Sequence, residues 1–184
     1  MNPIFAAALE VEQVCRAAGF RFCFIGGLAV QRWGEPRMTA DVDLTLMTGF
    51  GTEEPFVDTL LQHFAGRIPD ARAFALLHRT LLIAASNGVH ADVSLGAMPF
   101  EARSVERASP FAISVTESVT TCSAEDLVVH KAFAGRDKDW LDVRGIVARQ
   151  GARLDRALVW AELDPLLELL DDATVAARLR AILG

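Results

Sequence analysis

Two glycines and three carboxylates are this chain's first candidates for chemistry. Gly26-Gly27 closes a short apolar run, Asp41-Val42-Asp43 follows after thirteen intervening residues, and Asp92 sits inside a later apolar run. Alternate residues of a strand project from one face, so Asp41 and Asp43 point the same way. Adjacent strands lie ~4.8 Å apart, which lets Asp92 on a neighbouring strand reach the same point. Three carboxylates brought together there are costly unless cations neutralise them. Hard oxygen donors of this kind suit Mg²⁺, which takes the rest of its shell from water and substrate phosphates. Two such ions ~3.5–4 Å apart stabilise both the attacking and the leaving oxygen of an in-line displacement. Glycine lets a backbone approach a phosphate, and a helix N-terminus just after it favours an anion. The triphosphate is thus expected between Gly26-Gly27 and the metals held by Asp41, Asp43 and Asp92.

The elements that must position these residues follow from periodicity. Residues 3–18 carry apolar side chains at helical spacing and end at Gly19. Phe20–Ile25 reads as a strand and Leu28–Trp33 as a helix stopped by Gly34 and Pro36. Asp41–Met47 alternates polar and apolar, the period of a half-buried strand. Phe56–Phe64 is helical. Thr80–Ala85 and His90–Leu95 read as strands joined through Asn87-Gly88, a strong hairpin signal. Val119–Cys122 is a further strand. Helices are then expected over 124–134, where Ser123 is the cap, over 137–150, over 156–170, and over 174–183 behind the cap candidates Asp171-Asp172. The fold class is α/β (α+β): a short mixed sheet flanked by helices, with a core over 1–122 and a C-terminal helical part over 123–184 packed on it.

Composition bounds the function without choosing it. The chain has 184 residues, 52 % of them hydrophobic, enough to build a core without disulfides or structural metals. Its net charge of −6 argues against a protein that coats nucleic acid. Cys15, Cys23 and Cys122 lack zinc spacing and read as small buried hydrophobes of a reducing compartment. The N-terminal stretch has acidic residues in its apolar pattern and no basic leader, and no apolar run reaches membrane length. A cytoplasmic protein with no membrane partner is expected. His63, His78, His90 and His130 have no ligand spacing; His90 shares the strand face of Asp92.

Ile25-Gly26-Gly27, the spacer, Asp41-Val42-Asp43-Leu44 and Ala91-Asp92-Val93 resemble the signature of the nucleotidyltransferase (polymerase β-like) superfamily. Within it the wording around Gly26 to Leu46 looks most like the AbiEii-type toxin–antitoxin nucleotidyltransferases. A second stretch is similar to that subgroup: Lys131 on a helix, then Gly135-Arg136-Asp137-Lys138-Asp139-Trp140-Leu141-Asp142. The resemblance implies the nucleotidyltransferase fold, contact of Lys131 with nucleotide phosphates, and support of the site by Asp139 or Asp142. Arg37, in the loop before Asp41, is a further candidate for phosphate. The family's common G-S form offers a serine hydroxyl to the phosphates; this chain has the G-G form and leaves backbone amides for that contact. Beside these readings, Lys131 stands equally as a solvated helix charge. Arg136, Lys138, Asp139 and Asp142 stand equally as surface pairs three and four residues apart.

The resemblance implies Mg²⁺-dependent transfer of a nucleoside monophosphate from an NTP to an acceptor: RNA or tRNA, a protein, or a small molecule. The chain would then be a toxin–antitoxin component with an antitoxin as partner. Two other readings stay open. One is a non-catalytic module of the same fold that binds or regulates a partner. The other is an enzyme of the aminoglycoside-modifying kind, for which an acidic cleft rim would speak.

Overall fold

The computed structural model describes residues 2–169 and 174–184. The expected cap at Asp171-Asp172 lies outside them. The chain runs α1 (Pro3–Ala17), β1 (Phe22–Phe24), α2 (Gly26–Trp33), β2 (Asp41–Met47), α3 (Glu54–His63), β3 (Ala65–Gly66), α4 (Ala71–His78), β4 (Thr80–Ala84), β5 (His90–Gly96) and α5 (Pro99–Arg107). It continues through β6 (Ser109–Ala112), β7 (Ser118–Thr121), α6 (Ala124–Ala134), α7 (Asp137–Gln150), α8 (Arg156–Leu167) and α9 (Thr174–Leu183). Among the described residues no helix is long and apolar enough to cross a membrane.

Two compact units share the chain. The first comprises residues 1–28 and 38–122, the second residues 29–37 and 123–184. One boundary between them falls at 122/123. Residues 29–37, by contrast, are grouped with the C-terminal helices.

In the first unit a seven-stranded mixed sheet has the order β3-β4-β5-β2-β1-β7-β6. β2 and β5 at its centre run parallel, while β1 is antiparallel to β2 and β4 antiparallel to β5. Alternation divides the sheet into two chemically different faces. Val42, Leu44 and Leu46 of β2, Leu81 and Ile83 of β4, and Ala91, Val93 and Leu95 of β5 enter one apolar core. That core is closed by Ile4, Ala7, Ala8 and Val11 of α1, Val57 and Leu60 of α3, and Ala71 and Ala75 of α4. The opposite face carries Asp41, Asp43, Thr45 and Asp92, and α5 lies against β1 and β2.

Four elements were not expected. The sheet edges β3 and β6 are short, and β6 contains Pro110. Helix α4 is entered and left through Asp70 and Arg79, both in the left-handed region at φ 53° and 55°. Helix α5 begins at Pro99, and Glu101 accepts from the amides of Ala97 and Met98 at 2.9 and 2.8 Å.

The second unit is helical. Helix α6 packs against α7 and α8, and α9 against α6, α7 and α8. Its core holds Val30, Leu127, Val128, Trp140, Val143, Ile146, Val159, Leu163 and Leu179. Ser123 caps α6 by accepting from the Asp126 amide at 3.0 Å, and Asp155 caps α8 by accepting from the Leu158 amide at 3.0 Å. Close approach dictates Gly145, where a Cβ would stand 2.9 Å from Glu35 Cγ.

Candidate active site

The carboxylates are assembled by strand register. β2 and β5 pair so that Asp43 is opposite Asp92, and Asp41 is opposite His90. Val42 and Leu44, buried in the core, commit their neighbours Asp41 and Asp43 to the other face, as Ala91 and Val93 do for Asp92. The face-sharing expected from the sequence is therefore present, on two adjacent strands.

The glycine turn is bonded to the same place. The Ile25 amide donates to the Asp43 carbonyl at 2.9 Å. Gly26 follows at φ +58° as the first residue of α2, where a Cβ would lie 1.9 Å from Asp43 Oδ2. Both facts demand glycine, one through backbone conformation and one through space. A Cβ on Gly27 would lie 2.4 Å from Thr39 Oγ1. The Thr39 hydroxyl itself reaches Asp41 Oδ1 at 3.1 Å and the Asp41 carbonyl at 3.2 Å. Thr39 thus holds the first carboxylate while lying against the glycine turn.

Arg67 is the residue that spacing did not single out. Its amide donates to the Leu82 carbonyl at 3.0 Å, and Leu82 is opposite Asp92 across β4 and β5. From there its guanidinium reaches Asp92 Oδ1 at 2.6 Å, a short charge-assisted bond, with the Arg67 side chain 19 % exposed. No motif announces this pair, because it depends on how the edge β3 is laid beside β4.

The donor chemistry of Asp41, Asp43 and Asp92 is all oxygen and suits a hard divalent cation. Among the described residues, however, no three His, Cys, Asp or Glu side chains are drawn into a ready-made metal cluster. Asp92 is turned to Arg67 instead.

The remaining candidates lie in the second unit. Lys131 Nζ is 3.0 Å from Asp139 Oδ1 and 2.9 Å from Asp142 Oδ2. Each carboxylate is also gripped by an arginine. Arg37 Nε and Nη2 meet the two Asp142 oxygens at 2.8 and 2.9 Å, and Arg136 Nε meets Asp139 Oδ2 at 2.5 Å. Lys131, Asp139 and Asp142 have side-chain exposures of 7, 0 and 4 %. The reading of Lys131 as a solvated charge, and of Asp139 and Asp142 as surface pairs, is overturned by this burial: successive turns of α7 present both carboxylates to α6. Burial pushes the two carboxyls up, but hydrogen bonds from Arg136 and Lys131 to Asp139, and from Arg37 and Lys131 to Asp142, outweigh it. Both sit below the usual carboxylate range.

No protein-family model matches this sequence, and no curated protein does. Solved structures do match. An antigenic nucleotidyltransferase-like protein from Paracoccidioides brasiliensis gives a TM-score of 0.50 at 16 % identity, over 96 % of this chain and 91 % of that one. The antibiotic-resistance factor ANT(2'')-Ia in solution gives 0.52 at 14 %, over 90 % and 94 %. The crystal structure of ANT(2'')-Ia in complex with adenylyl-2''-tobramycin gives 0.54 at 18 %, over 88 % and 96 %. At these identities the likeness is one of fold, and it spans nearly the whole of each chain: this protein has the nucleotidyltransferase fold.

Proposed function

We propose that the protein is a nucleotidyltransferase that moves a nucleoside monophosphate from an NTP to an acceptor hydroxyl. The observation that carries this reading is the β2–β5 register, which sets Asp43 beside Asp92 on the face opposite the core, with Gly26 against Asp43. Asp41 and Asp43, with Asp92 as the third carboxylate, are the residues to hold Mg²⁺. The amides that open α2 behind Gly26-Gly27 meet the triphosphate. A bound Mg²⁺ supplies positive charge at the phosphoryl oxygens and orients the nucleotide. The acceptor oxygen forms its bond to the α-phosphorus as the bond to pyrophosphate breaks, and its proton passes to Asp92, which Arg67 keeps oriented. Positioning and charge account for such chemistry.

The acceptor we propose is an RNA, a protein or a small molecule, and an AbiEii-type role with an antitoxin partner remains part of this proposal. The fold likeness to ANT(2'')-Ia supports including a small molecule. A second reading, a non-catalytic partner-binding module, draws on one observation. The charge of Lys131 is already matched by Asp139 and Asp142, as a purely structural lysine's would be.

The deciding experiment is calorimetry with each NTP, with and without Mg²⁺, followed by a search for acceptors with α-labelled NTP. Asp43→Ala is expected to abolish metal-dependent binding and transfer while the protein stays folded. Full transfer by that variant would sink the enzymatic reading, and no nucleotide binding by the wild type would favour the module.

A further inference from the structure

Among the described residues, Thr45 has a buried hydroxyl that makes no hydrogen bond within the protein. The other side chains that β2 buries, Val42, Leu44 and Leu46, are apolar and enter the core. Thr45 lies on the opposite face with Asp41 and Asp43, in register between Cys23 of β1 and Ser94 of β5. It has no exposed surface, and α5 packs against β1 and β2 on this side. Its methyl is committed to Gly96, where a Cβ would stand 3.0 Å from Thr45 Cγ2, so the hydroxyl takes another direction. A buried hydroxyl without a partner is costly, and valine has nearly the same shape without that cost. Elsewhere the chain satisfies its threonines: the hydroxyls of Thr39, Thr48, Thr52, Thr59 and Thr120 all donate to oxygen.

Asp43 is two residues away along the strand, ~6.7 Å between Cα atoms, a span that a hydroxyl and a carboxylate leaning together can close. Thr39 shows that reach in this chain: two residues before Asp41, its hydroxyl meets Asp41 Oδ1 at 3.1 Å. Thr39 and Thr45 thus bracket Asp41-Val42-Asp43 at equal spacing. We propose that Thr45 is a positioning residue whose hydroxyl is held for Asp43 and bonds to it when that carboxylate takes a divalent cation. This rests on the nucleotidyltransferase reading above and deepens its metal site. A carboxylate that ligates a metal is aimed by the hydrogen bonds it accepts, and such outer partners change metal affinity when they are removed. An ionised carboxylate has about four acceptor positions, so Asp43 takes this bond beside the interactions it already makes.

The test pairs two measurements on the full chain: melting of the metal-free protein in chelator, and Mn²⁺ binding followed by electron paramagnetic resonance. Thr45→Val is expected to melt at least ~2 °C higher than the wild type, because an unsatisfied buried hydroxyl has gone. The same variant is expected to bind Mn²⁺ about tenfold more weakly. Thr45→Ser keeps the hydroxyl and gives up the methyl, so it is expected to melt lower and to bind Mn²⁺ like the wild type. Gain of stability with loss of affinity is a signature that a purely structural threonine would not give. Unchanged Mn²⁺ affinity in Thr45→Val would overturn the proposal and leave the Asp41–Asp43 site standing. A lower melting temperature in that variant would overturn it too, by showing that the hydroxyl is already partnered in the metal-free protein. Should Thr45→Val fail to fold, Thr45→Ser and Thr45→Ala decide, since they differ in the hydroxyl alone: about tenfold weaker binding in Thr45→Ala supports the proposal and equal binding overturns it. Absence of Mn²⁺ binding in the wild type would remove the metal site itself, and this inference with it.

Discussion

Gly26 and Asp43 are in contact so close that residue 26 has no room for a side chain: a Cβ there would stand 1.9 Å from the carboxylate oxygen. The turn before α2 and the second acid of β2 are therefore one structural unit, tied again by the Ile25 amide on the Asp43 carbonyl.

Gly26→Ala meets two penalties, the left-handed backbone at φ +58° and the displacement of Asp43. The first alone costs about 1–2 kcal/mol. Gly19→Ala is the control, since Gly19 has φ +68° with nothing within 4 Å of its Cβ position. Both variants are expected to melt at lower temperature. Nucleotide transfer is expected to survive in Gly19→Ala and to disappear in Gly26→Ala.

Thr39→Val keeps the shape against Gly27 and removes the hydroxyl from Asp41. One hydrogen bond of this kind contributes about 0.5–1.5 kcal/mol. Divalent-ion affinity is expected to fall by roughly two- to tenfold, with the melting temperature little changed. Equal affinity for Mn²⁺ in the two proteins would show that Thr39 does nothing for Asp41.

Lys131→Met is expected to lower stability by about 3–5 kcal/mol, because it leaves Asp139 and Asp142 buried with one cation fewer. Urea titration measures this directly. A loss below about 1 kcal/mol would mean that Arg37 and Arg136 satisfy the two carboxylates without the lysine.

Acid should find the same cluster. Both carboxyls have folded values below the ordinary range, so the unfolded chain binds protons first as pH falls. Their contribution is complete above the unfolded value of about 3.9 and is lost as pH drops through the folded values. An Asp139→Asn/Asp142→Asn variant is therefore expected to be less stable than the wild type at neutral pH. Below about pH 4 its stability should fall less steeply, by up to about 1.4 kcal/mol per pH unit for each group removed. Parallel acid limbs in urea midpoints measured at a series of pH values would contradict this.

The carboxylate face was legible because it depends on period two. Asp41–Met47 forms over the expected residues, and the Asn87-Gly88 turn places Asp92 in register through β4 and β5. The helices α6, α7 and α9 likewise keep their expected spans, set by the Ser123 cap and by apolar spacing. Helix α4 escaped notice because its ends are marked by left-handed Asp70 and Arg79 instead of glycine. Helix α5 did carry a signal, in Pro99 followed by Glu101. Arg67 and the burial of Asp139 and Asp142 were beyond reach. Both depend on which surfaces meet, and charge spacing along one element is the same for a solvated face and a buried one.

The β2–β5 register also bears on when the site comes into being. Asp43 and Asp92 are neighbours in space, yet α3, β3, α4 and β4 lie between them in the chain. Parallel pairing across so long a connection closes slowly and late. A chain growing from the ribosome therefore exposes Asp41 and Asp43 before Asp92 has been made, and no product that stops short of β5 has the full set of carboxylates.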